Sequence, residues 1–359
     1  MDRPITDLHL GTASLIQEAI SCIDRSGRVS IALVVDGQGR LVDVITDGDI
    51  RRALIHGLGM ESPVSELLRI KTQTPHPRAV TAAAGTDTAV LLKMMQEQSV
   101  RQVPLVDGEG RVTDIVILSD LMPQQTTPLR AVIMAGGFGK RLHPLTEDTP
   151  KPMLHVGNRP IMEVIIDQLR QAEVSRLHVS THYKPEKIRE YFGDGKDFGM
   201  QIDYLYEDSP LGTAGALGLM PVSDSPILVI NGDILTQVNY RIMLCFHRQH
   251  AADMTVAVRR YDFQVPYGIV ECEGPLVKGV KEKPTFSFFV NAGIYVIEPS
   301  VVGLVPRGRK FDMTDLIQKL TEEKRTVVSF PIVEYWLDIG KHNDYQQAQE
   351  DIKSGKIQC

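Results

Sequence analysis

The stretch that decides the fold of the larger part of the chain is Ala131-Val-Ile-Met-Ala-Gly-Gly-Phe-Gly-Lys-Arg-Leu-His-Pro-Leu145. Its apolar beginning, from Ala131 to Ala135, predicts a buried strand bounded by glycine. Behind the strand come glycines and two cations: Gly136, Gly137, Gly139, Lys140 and Arg141. Glycines let the backbone turn sharply and bring bare N–H groups against a ligand, and such groups suit phosphate when cations stand beside them. We therefore predict that this glycine loop, residues 135–141, holds a nucleoside triphosphate.

Two better-known glycine-rich loops do not match this stretch. A P-loop requires G-x-x-x-x-G-K-[ST], but Met134 stands at the first glycine position and Arg141 follows the lysine. A dinucleotide fingerprint requires G-x-G-x-x-G, but the segment that begins at Gly137 ends in Leu142. A turn with a purely structural role remains the alternative interpretation.

Length and composition limit the classes of protein that are possible. The 359 residues suffice for two domains with separate cores. Both residues 1–127 and residues 128–359 are net acidic, which argues against a nucleic-acid partner. The four cysteines lack C-x-x-C spacing and favour reduced thiols over a disulfide or zinc site. With no signal-peptide pattern and no apolar run of membrane-spanning length, we expect a soluble, cytoplasmic protein without a membrane partner.

The first part of the chain contains an internal repeat. Residues 35–50, VDGQGRLVDVITDGDI, align without gaps on residues 106–121, VDGEGRVTDIVILSDL. Each copy predicts a strand, a turn, a second strand and a helix that begins near an aspartate. Segments 14–24 and 88–98 have helical periodicity and precede the two copies.

This repeat resembles a tandem pair of CBS domains (a Bateman module), with copies at about 5–62 and 63–125. In that family a Thr/Ser-x-x-Asp turn often binds an adenine nucleotide. The first copy has this turn as Thr46 and Asp49, whereas the second keeps Asp120 but has isoleucine in place of the hydroxyl residue. The resemblance therefore implies an adenine-nucleotide site in which the first copy is the better anchor.

An architectural interpretation of the repeat stays open. Thr46 and Asp49 also suit the start of a helix over residues 50–57, where they would act as caps. CBS pairs usually associate through their helices, so the resemblance also implies a homo-oligomer.

From residue 127 onward, strands and helices alternate, which predicts an α/β domain with a mainly parallel sheet. The proline-bounded segment 123–128 is typical of a linker and separates predicted domains 1–126 and 127–359. The apolar strand from Ile227 ends in Asn-Gly-Asp233. This places Asp233 at the carboxyl edge of the sheet, where α/β proteins bind ligands and where a carboxylate suits Mg²⁺. A turn residue or helix cap is the alternative.

Other polar residues occupy unusual surroundings. Asn291 and Asp338 interrupt apolar runs, and we expect both to be buried and to require partners. Lys151 lies between prolines in an extended segment, and Gly212 opens a small-residue helix that lets the backbone approach a flat ligand. Glu282 and Lys283 form a pair that would be an ordinary charge cluster on a solvated edge strand.

As an ordered set, these motifs resemble the sugar-1-phosphate nucleotidyltransferase (NDP-sugar pyrophosphorylase) family over about residues 130–349. The resemblance implies a Rossmann-like, GT-A-type fold and the reaction of an NTP with a sugar 1-phosphate to give an NDP-sugar and pyrophosphate. It also implies a Mg²⁺ cofactor. The roles that it implies are catalytic for Arg141, Lys151 and Lys283, metal-binding for Asp233 and Asp338, sugar-binding for Glu282 and Asn291, and nucleotide-binding for Ala135, Gly136, Gly137, Gly139, Lys140, Gly212 and Thr213.

The substrates are less well defined than the reaction. The glycine loop and Gly212-Thr-Ala-Gly-Ala resemble guanylyltransferases, and a CBS pair before such a domain resembles the glucosamine-1-phosphate guanylyltransferases of legionaminic acid synthesis. We therefore expect GTP and an amino-hexose 1-phosphate. The alternatives are guanylyl transfer to mannose or heptose 1-phosphate, and thymidylyl or uridylyl transfer to a hexose 1-phosphate. A catalytically inactive nucleotide-sensing regulator is the alternative from another class.

Overall fold

A computed structural model describes residues 4–26, 29–74, 76–98, 100–121 and 129–357, apart from the side chains of Gln96 and Ser119. The chain separates into two compact units, Met1–Thr126 and Thr127–Cys359, which are described individually. The predicted linker at 123–128 falls outside the described residues. Among the described helices, none combines the length and the apolar composition that a membrane span requires.

The first unit has the element order that the repeat predicts. Its strands are β1 (His9–Leu10), β2 (Ile31–Val35), β3 (Leu41–Thr46), β4 (Ala82–Ala83), β5 (Gln102–Val106) and β6 (Val112–Ile117). Its helices are α1 (Ile16–Ser26), α2 (Asp47–Ile55), α3 (Val64–Lys71), α4 (Thr88–Glu97) and α5 (Leu118–Leu121), with a 3₁₀ turn at Ile5–Leu8. Within the described part of each copy, one parallel and one antiparallel pair form the sheets β1-β2-β3 and β4-β5-β6.

The turn between the central strands is built alike in both copies. Asp36 accepts hydrogen bonds from the backbone N–H groups of Gln38 and Arg40, and Asp107 does the same for Glu109 and Arg111. These backbone donors, Arg40 first, lower the pKa of Asp36 below its usual value. The two turns meet where the Leu41 N–H donates to the Gly110 carbonyl at 2.9 Å, so the copies contact each other directly.

The second unit alternates strands and helices. Its strands are β7 (Arg130–Met134), β8 (His155–Val156), β9 (Arg159–Pro160), β10 (Arg176–Thr181), β11 (Gln201–Tyr206), β12 (Ile227–Asn231), β13 (Ile234–Thr236), β14 (Met254–Gln264), β15 (Ile269–Glu273), β16 (Leu276–Lys281), β17 (Thr285–Ile297), β18 (Val327–Ile332) and β19 (Trp336–Asp338). Its helices are α6 (Ile161–Gln171), α7 (Pro185–Phe192), α8 (Gly212–Gly215), α9 (Tyr240–Gln249), α10 (Pro299–Val302), α11 (Met313–Glu322) and α12 (His342–Lys353). Short 3₁₀ helices occupy Lys140–Leu142, Lys151–Met153, Lys196–Phe198 and Ala216–Leu219.

Within residues 129–357, seven strands form one mixed sheet in the order β11-β10-β7-β12-β17-β14-β18. The pairs β11/β10, β10/β7, β7/β12 and β14/β18 are parallel, whereas β17 is antiparallel to both neighbours. The predicted α/β class with a mainly parallel sheet is confirmed.

The core lies on both faces of this sheet. In β7, Ala131 and Ile133 belong to one apolar cluster and Val132 to the other, as expected when successive side chains point to opposite faces. The helix α6 covers the first cluster with fully buried residues such as Ile161 and Leu169. A strand buried on both faces cannot shift or slip, so its carboxyl end is a fixed position on which a site can be built.

Candidate active site

The parallel strands β7, β10, β11 and β12 all end at one edge of the sheet. In β7 and β12, Met134 lies opposite Asn231, and the Gly232 N–H donates to the Met134 carbonyl at 2.9 Å. The glycine loop and Gly232-Asp233 therefore follow two neighbouring strands and begin beside each other. This is the edge at which open α/β sheets bind their ligands.

The glycine loop is held in a defined conformation. The Ala135 N–H donates to the Ser180 carbonyl at 3.0 Å, and the Thr146 hydroxyl donates to the Gly139 carbonyl at 2.8 Å. Gly139 has φ +65°, and a Cβ placed on it would lie 2.9 Å from the Thr146 side chain. Only glycine fits this position without displacing its neighbours.

A cavity of about 340 Å³ opens beside the loop, bordered by Phe138, Lys140, His143 and Tyr183. The Lys140 ammonium lies 5.5 Å from the centre of the Phe138 ring, a cation–π distance. Of these residues, the sequence indicated only Lys140.

Glu207 was not predicted from the sequence, yet it connects two loops of the site. Its carboxylate is buried, accepts a hydrogen bond from the Ser180 hydroxyl, and accepts the Leu211 N–H at 2.8 Å. A Cβ on Gly136 would lie 2.7 Å from the carboxylate, so Glu207 also supports the glycine loop. The sequence did contain an indication of this role, because Glu207 directly follows the strand β11, much as Asp233 comes after the strand β12.

The centre of the site is an ion-pair cluster. The Lys151 ammonium forms a salt bridge with Asp233 and lies 4.0 Å from Asp338 Oδ1. Asp233 and Asp338 meet because β13 and β19 pair antiparallel with Ile234 opposite Asp338, and because the Ile339 N–H donates to the Asp233 carbonyl at 3.1 Å. Lys151 is 9% exposed, so these carboxylates are its counter-ions in place of water.

The prediction that Asp338 is buried is wrong, because 48% of its side chain is exposed. The strand β19 belongs to a short pair at the edge of the core, and an apolar run in the sequence does not reveal this. Partial desolvation and the neighbouring Asp233 raise the pKa of Asp338, while Lys151 and Arg141 oppose this increase. A Cβ on Gly340 would lie 3.6 Å from Asp338 Oδ1 and 3.8 Å from Arg141 Nη1, so the arginine borders the same space.

The two carboxylates fit a divalent ion. Asp233 Oδ1 is buried and has no hydrogen-bond partner among the described residues, whereas the other oxygen, Oδ2, pairs with Lys151. A buried oxygen without a donor is costly unless a ligand satisfies it. Mg²⁺ commonly uses one or two carboxylates and takes its remaining ligands from water and substrate phosphates.

The predicted sugar-side residues lie on β17 and on the turn that precedes it. Glu282 and Lys283 occupy the exposed turn between β16 and β17. Asn291 is exposed rather than buried, which corrects the expectation from the sequence. Its side-chain oxygen accepts hydrogen bonds from the Gly293 N–H at 3.0 Å and the Tyr295 hydroxyl at 2.9 Å. Its partners therefore come from its own strand, and no described contact joins Glu282, Lys283 or Asn291 to Lys151.

The second loop, at Gly212 and Thr213, is bound to the start of α11. The Thr213 N–H donates to Asp312 Oδ1 at 2.9 Å, and the Thr213 hydroxyl oxygen accepts the Met313 N–H at 2.8 Å. The loop is thereby fixed against the helix that covers the second core cluster.

In the first unit, Thr46 and Asp49 form a capping box at the start of α2. Asp49 accepts from the Thr46 N–H at 3.0 Å, the Thr46 hydroxyl at 2.8 Å and Arg52 at 2.6 Å, and it is buried. The helix therefore begins at Asp47, three residues earlier than predicted. Asp120 in the second copy is exposed. The polar groups of the first copy are engaged inside the protein, as the capping interpretation requires.

Comparison with known proteins defines the class. The family model described as "Nucleotidyl transferase" matches residues 130–355, and the model described as "CBS domain" matches residues 6–56 and 64–124. The chain belongs to the nucleotidyl transferase family and carries a tandem pair of CBS domains.

Individual relatives narrow the comparison further. The mannose-1-phosphate guanyltransferase of Pichia angusta is 33% identical over 230 residues, which cover 60% of this chain and 62% of the relative. The UTP–glucose-1-phosphate uridylyltransferase of Synechocystis sp. is 31% identical over 250 residues, or 64% of each chain. The crystal structure of HddC from Yersinia pseudotuberculosis complexed with GMP-PN has a TM-score of 0.50 and 25% identity, over 62% of this chain and 99% of HddC. The chain spans less than two thirds of the length of both curated relatives.

Proposed function

We propose that the chain is a sugar-1-phosphate nucleotidyltransferase, which combines an NTP with a sugar 1-phosphate to form an NDP-sugar and pyrophosphate. The observation that carries this proposal is the Lys151 ammonium held between Asp233 and Asp338, at the sheet edge where the glycine loop begins. A cation, two carboxylates and a phosphate-binding loop are the groups that phosphoryl chemistry needs. These substrates are cytoplasmic metabolites, and we place the reaction there.

The residues would divide the work as follows. The backbone of the glycine loop, including Gly136, Gly137 and Gly139, would hold the triphosphate, with Lys140 and the segment at Gly212-Thr213 completing the nucleotide side. On the other side, Glu282 and Asn291 would bind sugar hydroxyls and Lys283 would pair with the sugar phosphate. Arg141 and Lys151 would face the phosphates between the two substrates.

The chemistry requires charge compensation more than proton transfer. An oxygen of the sugar phosphate attacks the α-phosphorus of the NTP, a new P–O bond forms, and the bond to the β-phosphate bridging oxygen breaks to release pyrophosphate. The attacking oxygen is already anionic, so no general base is needed. The barrier comes from bringing two polyanions together, and Arg141 and Lys151 lower it by neutralising negative charge at a fixed position. When bound by Asp233 and Asp338, Mg²⁺ would add further neutralisation of the phosphates.

We propose GTP and an amino-hexose 1-phosphate as the substrates. The guanyltransferase relative and the complex of HddC with GMP-PN support a guanine nucleotide. The uridylyltransferase relative supports the alternative of uridylyl or thymidylyl transfer to another hexose 1-phosphate. A pyrophosphate-release assay that crosses GTP, dTTP, UTP, CTP and ATP with several sugar 1-phosphates distinguishes these alternatives. If a correctly folded protein releases no pyrophosphate with any of these substrate pairs, that result would support an inactive regulator instead.

The CBS pair has two candidate roles. The capping box at Thr46 and Asp49 supports an architectural role, because those groups already have protein partners. An adenine nucleotide at Thr46, Asp49 and Asp120, acting on the rate of transfer, is the alternative. Repeating the assay and the thermal denaturation with AMP or ATP separates the two, since a sensor changes at least one readout and a scaffold changes neither.

A further inference from the structure

The strands β14 and β17 continue beyond the sheet as a two-stranded ribbon, in which Arg259–Gln264 pairs with Thr285–Val290. The neighbour of β14 pairs with it only as far as Arg259, and the neighbour of β17 begins at Ile294. Within the described residues, the rest of the ribbon therefore has no strand beside it. The hairpin of β15 and β16 connects its ends, and we call residues 259–290 the arm.

One face of the ribbon is aromatic. In an antiparallel pair, directly opposite residues lie on the same face. Tyr261 is opposite Phe288, and Phe263 is opposite Phe286, so all four share a face, which we call the aromatic face. Between 42% and 59% of each of these residues is exposed.

The other face is mainly polar, with Phe289 opposite Arg260 as its aromatic residue, and its polar side chains already have partners. Arg260 donates to Asp262 at 3.2 Å and to Ser287 at 3.1 Å, and the Ser287 hydroxyl donates to Asp262. The hydrogen bond from Ser287, followed by that from Arg260, lowers the pKa of Asp262. The polar groups of this face have hydrogen-bond partners, so the face is suited to water. The aromatic face has no cover among the described residues and is suited to another apolar surface.

The hairpin repeats this division. Val270 lies opposite Val280, and both side chains are more than half exposed. On the alternate positions, Lys281 forms an ion pair with Glu271. The separation of apolar from charged residues therefore continues into the first pairs of the hairpin, whereas at its tip Glu273 lies opposite the exposed Leu276.

The exposed apolar area of the aromatic face is larger than that of isolated apolar residues on a protein surface. Four half-exposed aromatic side chains present on the order of 400 Å² of apolar surface, given ~200 Å² for each whole side chain. Contiguous apolar patches of this size on a soluble protein mark interaction sites. The aromatic face alone therefore supplies about half of the ~800 Å² that each partner contributes to a stable interface.

We propose that the aromatic face is an interface with a second copy of this chain, formed by the arms of the two copies about a two-fold axis. Its aromatic positions carry no charge. The neighbouring charged residue on that face, Arg259, donates at 3.0 Å to the carbonyls of Ile332 and Glu334 within its own unit. A surface without charge requires no charged complement, so it is complementary to itself, as a two-fold interface demands. Apolar surface of this extent needs permanent cover, and permanent interfaces are the most hydrophobic class.

The test is the mass of the full-length protein in solution, measured by sedimentation. Phe288→Glu or Phe263→Glu places a charge on the aromatic face and is expected to halve the mass of the wild-type assembly. The matched control is Thr285→Glu, which adds the same charge to the polar face of the same ribbon and is expected to leave the mass unchanged. If the CBS pairs also join the same two copies, they hold the dimer together after the arms separate, so the mass is followed over a dilution series. The aromatic-face variants are then expected to dissociate at a higher protein concentration than the wild type and the Thr285→Glu control. Unchanged dissociation in both aromatic-face variants overturns the proposal, as does a monomeric wild type.

A labelling experiment identifies what covers the face. Cys272 is exposed on the arm, so a Cys272→Ser background is used. In that background, a thiol introduced by Phe288→Cys is expected to react with a maleimide more slowly than one introduced by Thr285→Cys. Equal rates overturn the proposal. Slow labelling in a monomeric protein also overturns it, because a segment of the same chain would then be the cover, and slow labelling with a different bound protein or lipid overturns it in favour of that partner.

Discussion

The ammonium group of Lys151 forms an ion pair with the carboxylate of Asp233, which stands 82 residues further along the chain. The lysine follows the glycine loop, and the aspartate follows the central strand β12, so the pair fixes the two against each other. A partly buried pair of this kind loses much more when one partner is removed than it contributes as a whole, because the remaining charge has no compensation. The pair is also the point where the proposed phosphate and metal sites meet.

Asp233→Asn should reduce turnover by roughly 10²-fold or more, the scale on which single electrostatic groups act in such sites. The substitution keeps the shape of the side chain and removes the charge that would bind Mg²⁺ and orient Lys151. The measurement is the rate of pyrophosphate release at saturating Mg²⁺. The matched control is Asp224→Asn, since that side chain is 91% exposed and precedes β12, at the end of the strand opposite to Asp233. Near wild-type activity of Asp233→Asn would rule out the metal assignment.

Arg141→Ala should lower kcat by about 10²-fold while leaving the melting temperature close to that of the wild type. The side chain is exposed, so its loss removes charge near Asp338 and little packing. Steady-state kinetics and thermal denaturation of the same preparation separate the two effects, with Arg170→Ala on α6 as an exposed arginine control. A lower melting temperature with unchanged kcat would favour a structural role for the loop.

Thr46→Ala should destabilise the first unit by about 1 kcal/mol, the usual effect of losing a helix N-cap. The reason is the capping box, in which the Thr46 hydroxyl accepts the Asp49 N–H at 3.1 Å. Thr46→Ser retains the hydroxyl and should keep most of the stability in denaturant unfolding. If Thr46→Ala leaves stability intact but abolishes a thermal shift caused by AMP or ATP, the residue serves a ligand instead.

The second unit should lose stability as the pH falls below about 6.5, the ordinary pKa of histidine. His247 is fully buried between the Thr255 hydroxyl at 2.8 Å and Glu298 at 3.1 Å. Burial lowers the pKa of His247, with Glu298 partly opposing this, so the unfolded chain takes up a proton at a higher pH than the folded one. Stability from this group is complete above the unfolded pKa and decreases on acidification.

Denaturant unfolding between pH 8 and pH 5.5 measures this effect. His247→Gln should flatten the dependence on pH, whereas His155→Gln, at an exposed position, should not. The same dependence in wild type and His247→Gln would assign the acid sensitivity to other groups. His178 is the next candidate, because burial also lowers its pKa.

The features that could be predicted from the sequence are those encoded by local patterns. The helix α6 shows its apolar face as Ile161, Val164, Ile165 and Leu169, and all four are buried. Asp233 was placed at the sheet edge because an apolar strand ends directly before it, and β12 ends at Asn231. In both cases neighbouring residues in the chain carry the information.

The remaining features depend on residues that are far apart in the chain. The exposure of Asp338 depends on the pairing of β19 with β13 at the border of the core, and an apolar run predicts a strand without indicating its neighbours. Asn291 lies where the long strand β17 leaves the sheet, so its apolar surroundings in the sequence do not bury it. The support that Glu207 gives to the glycine loop requires the parallel strands β11, β10 and β7 to end at the same edge of the sheet, which only the fold establishes.

Nucleotidyl transfer is tested most directly by following both products with ³¹P NMR. Full-length protein is incubated with Mg²⁺, GTP and glucosamine 1-phosphate, and with the other NTP and sugar 1-phosphate pairs in parallel. An NDP-sugar and pyrophosphate are expected in equal amounts for at least one pair, and both are expected to be lost in Asp233→Asn. Hydrolysis of the NTP to NDP and phosphate, or no turnover with any pair by a protein that unfolds cooperatively, would contradict the proposed reaction.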